Sequence, residues 1–283
     1  MPLAPSNDIF VANGGLMARS ARTRQVHILE IVREQGFASI EQLAARFEVT
    51  QQTIRRLVNA LCDQGLLRRV HGGVSLPVQN QNLAYSSRHR LNAEAKRRIA
   101  LATAKLIPDG TSLMIGLGTT PEYVAQALSR RRDLRVITNS LNVAAAFSHN
   151  PDVEITIAGG TLRPLDRDII GEAAVHFFSG FRADFGIFGV GGVDADGSLL
   201  DFHVDEVKAR QSIAANSRTS VLVADITKFG RNATVRGGHL DECHHLVIDD
   251  RLPAAFELSA QRYSGQIHTA GDARADFELL GDI

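Results

Sequence analysis

The sequence predicts two domains of different class in one chain: a small helical front module, then a larger α/β domain built on a parallel sheet. Three observations point there. Apolar residues recur at helical spacing between residues 22 and 61, and beyond residue 94 short apolar runs alternate with amphipathic patterns, as buried parallel strands alternate with crossover helices. The charge is also unevenly shared. Residues 19–76 hold nine Lys and Arg against five Asp and Glu, residues 77–283 hold 22 against 25, and the whole chain is formally neutral. A basic front suits a segment that meets a polyanion, and a solvated basic face has the same signature.

The composition, 44% hydrophobic and 22% charged over 283 residues, is that of a globular protein with one large domain or one large and one small. No apolar run approaches the roughly 20 residues that span a bilayer, and residues 1–18 lack the pattern of a secretory signal, so a soluble cytoplasmic protein is expected. Residues 1–18 are expected to form a disordered extension. Cys62 and Cys243 lie far apart and outside any C-x-x-C pair, so no disulfide framework, metal or other cofactor is expected. Cys243, His244 and His245 are consecutive, and neighbours along a strand point opposite ways.

In the front module, taken as residues 19–76, Val26, Ile28, Leu29, Ile31 and Val32 form a first helix over 22–35, and Gly36 follows where a C-terminal cap belongs. Ser39 and Gln42 make a capping box ahead of a short second helix with Ile40, Leu43, Ala44 and Phe47 on one face. Thr50 caps a third helix in which Ile54, Leu57, Val58 and Leu61 recur at i, i+3, i+4 and i+7. Two short helices joined by so brief a turn are a helix-turn-helix unit, whose second helix can enter the major groove. With the apolar stripe inward, Gln51, Gln52, Arg55 and Arg56 face outward, and these side chains can pair with adenine and guanine edges. Thr50 and Thr53 suit capping or phosphate contact. "LLRRVHGGVSL" reads as two short strands around a His-Gly-Gly turn, a wing that offers Arg68, Arg69, His71 and Gly72 to the DNA backbone. Ser39 completes the candidate DNA contacts. A protein-interaction module with a solvated basic face is the competing reading.

Residues 77–93, with "PVQNQN", read as a linker, and 94–283 as the second domain. Its predicted helices include "EAKRRIALATAKLI", "PEYVAQALS" and "LNVAAAFS". Its predicted strands are "TSLMIGLG", "LRVITNS", "VEITIAGG", "ADFGIFGVGG", "TSVLVAD" and "HHLVID", with a final helix at "AAFELSAQRYSG" and a strand at "QIHTA". Ligands of such sheets bind beyond the carboxyl ends of the strands. Gly116, Gly118, Thr119 and Thr120 precede a helix; Thr138, Asn139 and Ser140 precede another; Ala158, Gly159 and Gly160 close a third strand. A glycine-threonine loop at a helix N-terminus suits an anion, which makes a small phosphorylated metabolite the expected ligand. "GVGGVDADG" lacks the spacing of a dinucleotide fingerprint and the later carboxylates of a calcium loop, and reads as a turn.

"SIEQLAARFEVTQQTIRRLVNALCDQGLLRRVHGG" resembles the winged helix-turn-helix of the DeoR family of bacterial repressors, with TIRR, the G-L-x-R run and HGG in register. Leu57 departs from the aspartate usual after the paired arginines. The resemblance continues to about residue 250 through "LGTTPEYVAQAL", "RVITNSLNVA", "AGGTLR", "IIGEAA", "FRADFGIFGVGGVDADGSLLDFHVDEVKAR" and "ADITKFGRNA". It implies a sensor domain that shares its fold with ribose-5-phosphate isomerase, glucosamine-6-phosphate deaminase and CoA transferases. It also implies a repressor of genes for glycerol and glycerol-phosphate use, released from double-stranded operator DNA by a phosphorylated effector, with glycerol 3-phosphate expected. By the same resemblance Gly118, Thr119 and Thr120 would hold the phosphate and Asn139, Ser140, Gly159 and Gly160 would line the pocket. Lys228 and Arg231 would supply cations, and Glu206 or Asp194 would meet hydroxyls. Gly116 stands where an aspartate is common. A homo-oligomer, dimer or tetramer, is expected from the need to engage repeated half-sites. The alternatives are a repressor responding to another sugar phosphate and a sugar-phosphate isomerase or deaminase carrying an accessory DNA module. Asp205, Glu206 and Asp225 are the available general bases for the enzyme.

Overall fold

The computed structural model describes residues 23–25, 27–32, 35–63, 66–70, 72–75 and 82–271. The expected extension over 1–18 and the expected wing contact His71 lie outside the described residues. The chain divides into two compact units, Met1–Val78 and Gln79–Ile283.

In the first unit, residues 23–25 and 27–32 are helical (α1), and the Gly36 amide donates to Val32 O at 2.9 Å with φ +74°, a left-handed conformation suited to glycine. β1 (Phe37–Ser39), α2 (Ile40–Arg46), α3 (Gln51–Asp63), β2 (Arg68–Val70) and β3 (Gly73–Ser75) follow. The capping box at α2 is present in both halves, with Ser39 Oγ accepting from the Gln42 amide at 3.0 Å and Gln42 Oε1 from the Ser39 amide at 3.2 Å. Ile54, Leu57, Val58 and Leu61 are all buried, and they pack with Ile28, Val32, Leu43, Leu67 and Val74 into one core. At about 1.5–3 kcal/mol for each large side chain fully buried, this stripe seats α3 and fixes its outer face. The wing has a third strand beyond the predicted hairpin, in the order β1-β3-β2, all antiparallel. Gly73 permits it: a Cβ there would lie 2.3 Å from Ala38 O, so only glycine lets β1 approach β3.

The second unit is built on a seven-stranded, wholly parallel sheet. Its strands are β4 (Ser112–Ile115), β5 (Leu134–Thr138), β6 (Val153–Ile157), β9 (Ala183–Phe188), β12 (Ser217–Val223), β14 (His245–Ile248) and β15 (Gln266–Thr269), in the order β15-β14-β12-β9-β4-β5-β6. Each of these strands matches a predicted apolar run. On one face α5 (Ala93–Leu106), α6 (Thr119–Leu128) and α7 (Leu141–Phe147) bury Ile99, Val124, Leu128 and Phe147 against Leu113, Ile115 and Val136. On the other, α8 (Glu172–Ser179) and α9 (Val204–Ala215) bring Phe178 and Ile213 onto Met114, Phe188 and Leu222. Burial on both faces explains why the inner strands, such as β4 and β14, read as continuous apolar runs, while edge strands β6 and β15 are more exposed.

The hairpin of β7 (Leu162–Arg163) with β8 (Asp168–Ile169), and a small sheet of β10 (Gly192–Val193), β11 (Ser198–Asp201) and β13 (Val235–His239), sit outside the main sheet. α10 (Glu257–Arg262) precedes β15. Where a linker was expected over 77–93, the chain instead forms α4 (Tyr85–Arg90), which is fixed within the second unit by Tyr85 Oη donating to Glu122 and Arg88 to Asp166. Over residues 85–90 the polar composition that suggested a linker belongs to a helix whose Tyr85 and Arg88 are engaged.

Candidate functional site

On the first unit, Thr50, Gln51, Gln52, Arg55, Arg56 and Asn59 are exposed along one side of α3, opposite its buried stripe. Thr50 Oγ1 accepts from the Thr53 amide at 3.2 Å and lies 3.0 Å from Thr53 Oγ1, so this pair closes the first turn and leaves the Gln and Arg side chains as the outward-reaching groups. Arg68 and Arg69 are exposed on β2, with Arg68 Nε donating to Ser75 Oγ at 3.0 Å across the wing, and Gly72 forms the turn with φ +76°. Ser39 spends its hydroxyl on the α2 cap. The surface is a helix face with four long hydrogen-bonding side chains and a basic wing, the chemistry of groove reading and phosphate contact.

On the second unit the winding of the sheet reverses between β4 and β9, so the loops after these two strands diverge and leave a crevice at their carboxyl ends. A cleft lies there, bounded by Leu117–Pro121, Gly189–Gly191, Asn82, Arg88, Asp201, Glu206, Val223, Lys228 and Arg231. Gly118 enters α6 with φ +124° and ψ 158°, a conformation open to glycine, and no side chain caps the helix. The amides of Thr119 and Thr120, both buried residues, therefore have no intrahelical acceptor at the positive end of a ten-residue helix.

The cations around this helix start are short of counter-charge. Lys228 has no hydrogen bond or ion pair among the described residues. Burial draws its ammonium down to about 7 from its ordinary 10.5; Arg231 pushes the same way and Asp225 opposes. Arg231 Nη1 and Nη2 donate only to neutral oxygens, Gly191 O at 3.2 Å and Asn82 Oδ1 at 3.3 Å, and its guanidinium lies 4.9 Å from the centre of the Phe202 ring. Burial lowers the Arg231 pKa too, with Arg88 adding to the effect. The carboxylates nearby are committed elsewhere. Asp201 accepts from the Gly191 amide at 2.7 Å and from Arg210 Nε at 3.1 Å, with Arg210 Nη2 in ion-pair contact at 3.0 Å, and Glu206 accepts from Arg163 Nη2 at 2.9 Å. Burial raises both acids, while their arginines hold them down. Asp225 is taken up by Asn92 Nδ2 and the Thr227 amide, each at 3.1 Å. A second, smaller cavity adjoins, lined by Gly116, Leu117, Asn139, Asp201 and Glu206 among others. There Asn139 Nδ2 donates to Ile169 O at 2.7 Å, while its buried Oδ1 has no partner.

Of the eleven residues expected to meet an effector, Gly118, Thr119, Thr120, Glu206, Lys228 and Arg231 border the main cleft, and Asn139 borders the adjoining cavity. Ser140 instead caps α7, its Oγ accepting from the Val143 amide at 3.4 Å. Gly159 and Gly160 are exposed beyond edge strand β6, and Asp194 turns the β10–β11 hairpin with its carboxylate on the Ala195 amide at 2.8 Å. Sequence reasoning missed Asn82, Arg88, Asp201 and Gly189–Gly191. The last were visible as the G-x-G-G after β9, and the signal was their place beside the sheet's reversal rather than their spacing.

A winged helix-turn-helix joined in one chain to an α/β unit with an anion-suited cleft defines the class of ligand-responsive DNA-binding regulators. The profile of the DeoR-like helix-turn-helix domain matches residues 24–80, and that of the DeoR C terminal sensor domain matches residues 91–250. The chain belongs to the DeoR family. It is 48% identical over 228 residues to the glycerol-3-phosphate regulon repressor of Escherichia coli (strain K12), covering 81% of this chain and 90% of that protein. It is 46% identical to the repressor of the same name from Haemophilus influenzae, over 80% and 89% of the two chains. The HTH-type transcriptional repressor CsqR of Escherichia coli (strain K12) is 40% identical over 84% and 91%. Among solved structures, ribose 5-phosphate isomerase A of Methanocaldococcus jannaschii aligns with a TM-score of 0.37 at 15% identity over 49% of this chain and 55% of that one.

The unpaired ammonium makes a prediction about stability. The Lys228 pKa lies near 7 in the fold and 10.5 outside it, so protonation opposes folding fully below pH 7 and progressively less as pH rises toward 10.5. Lys228→Met is therefore expected to raise the melting temperature of the ligand-free protein, by more at pH 6 than at pH 9. A melting temperature lowered equally at both pH values would contradict the assignment.

Proposed function

We propose that this protein is a DNA-binding transcriptional repressor of glycerol 3-phosphate metabolism genes, released from its operators when glycerol 3-phosphate occupies the switch-point cleft. One observation carries the reading: Lys228 and Arg231, half-buried and without a carboxylate partner among the described residues, converge with the uncapped N-terminus of α6. A phosphate ester completes such a site, because it brings the missing negative charge and accepts from the free amides and both cations. Glu206, Asp201 and the unpartnered Asn139 Oδ1 offer acceptors to hydroxyl groups in the adjoining space. A three-carbon ester is supported by the relatives' name, glycerol-3-phosphate regulon repressor.

The mechanism follows from linkage. The effector weakens operator binding only by favouring the conformation that holds DNA poorly, and each tenfold loss requires about 1.4 kcal/mol of differential affinity. A single helix and wing with a handful of basic contacts bind weakly, so the repressor acts as a homo-oligomer on repeated half-sites. No helix among the described residues is long and apolar enough to cross a membrane.

Two measurements check this. A fluorescence-anisotropy titration of a duplex from the control region of glycerol genes should show release by millimolar glycerol 3-phosphate and none by glycerol; release by neither, or equally by both, counts against the effector. On the DNA side, Arg55→Ala should cost about 1–3 kcal/mol of preference for operator over random duplex, whereas Arg68→Ala should weaken both alike. Identical effects of the two changes would show that α3 and the wing do not divide base reading from phosphate contact.

A further inference from the structure

We propose that Arg88 is the residue through which effector occupancy reaches the DNA-binding unit: it exchanges Asp166 for the effector's phosphate and so alters the hold on α4. The inference rests on the effector reading above and adds its transmission. Arg88 borders the same cleft as Lys228 and Arg231, and its side chain is 14% exposed. It differs from them in having a carboxylate partner. One Nη2 donates to Asp166 in the β7–β8 turn, while Nε donates to Leu83 O at 2.9 Å. Asp166 thus occupies the guanidinium where a phosphate in the cleft competes for it. The exchange leaves no orphan, because Asp166 also faces Arg163 Nη1 at 3.9 Å.

The position of Arg88 in the chain gives the exchange its consequence. The second unit starts at Gln79, and the segment from Asn82 through α4 is the first part of it that the structure describes. Asn82 bonds Arg231, and Tyr85 bonds Glu122 in the first turn of α6, the helix whose N-terminus faces the cleft. Lys96, 3% exposed, donates to the carbonyls of Arg88 and Leu91, and so ties the end of α4 to α5. Apart from the bond to Asp166, these ties lead to the cleft or to the helices beside it. A change of partner at Arg88 is a change at the root of the chain that runs back to the winged unit. A ligand acts at a distance only through such an element with two arrangements, each favoured by one site.

Calorimetric titration of the full chain with glycerol 3-phosphate, in wild type, Asp166→Asn, Arg88→Gln and the double variant, tests the exchange. Asp166→Asn removes the competitor and should tighten binding by about tenfold while weakening operator affinity. Arg88→Gln should weaken effector binding, and in its background Asp166→Asn should bring less than about a twofold gain. Unchanged or weaker binding in Asp166→Asn overturns the proposal, as does a gain that persists undiminished without Arg88, which would mark simple removal of a repelling charge. If Asp166→Asn fails to fold, Asp166→Ser makes the same loss of charge. Wild-type protein that holds operator yet binds neither glycerol 3-phosphate nor inorganic phosphate would overturn the effector reading itself and the exchange with it.

Discussion

The sensor unit is organised around two cations that form no ion pair among the described residues. Withdrawing an ammonium and a guanidinium partly from water costs free energy unless a counter-charge is in contact, and at half-buried Lys228 and Arg231 Asp225 acts only from a distance. The acids that could have paired with them are engaged elsewhere: Asp201 by Arg210, Glu206 and Asp168 by Arg163, and Asp225 by Asn92 and Thr227. The cost is borne by the rest of the unit, whose seven-stranded sheet is packed on both faces by apolar side chains. In the proposed function a phosphate ester lowers that cost on arrival, and the difference between the free and bound states is the free energy available for work on the DNA-binding unit.

Sheet topology puts the cations where an anion can reach them. Because β4 lies between β5 and β9, the loops after β4 and β9 part, and the start of α6 opens into the gap. Gly118 turns the chain into α6 at a backbone conformation that other residues adopt only under strain, and Pro121 has no amide hydrogen to give. The first unit works on different principles. Its small core of Ile, Leu and Val fixes α3 with its Gln and Arg side chains outward, and the close approach at Gly73 adds β1 to the wing.

Much of this was legible in the sequence, for identifiable reasons. The inner strands of the main sheet were readable because burial on both faces forces unbroken apolar runs, and α3 because its stripe repeats without interruption. α9 was missed because it buries Glu206 and Arg210 beside Val207 and Ile213, so charge and apolarity share one face and no periodicity survives. α4 was hidden by the opposite effect: its polar residues resemble a linker until Asp166 and Glu122, 78 and 37 residues away, are seen to hold them. β1 spans only three residues and pairs with a strand distant in sequence. At the site, Gly118–Thr120 could be read as a local loop, whereas Asp201 and Arg88 reach the cleft by tertiary contact alone. Asp194 was chosen for its charge and lies in a hairpin turn.

The claim that an anion at the start of α6 governs this protein is tested most directly by a crystal structure of the full chain with glycerol 3-phosphate bound. The phosphate should accept from the Thr119 and Thr120 amides and lie within hydrogen-bond distance, about 2.7–3.2 Å, of Lys228 Nζ or the Arg231 guanidinium. A phosphate bound away from the carboxyl ends of β4 and β9, with these groups left as they stand in the empty cleft, would contradict it.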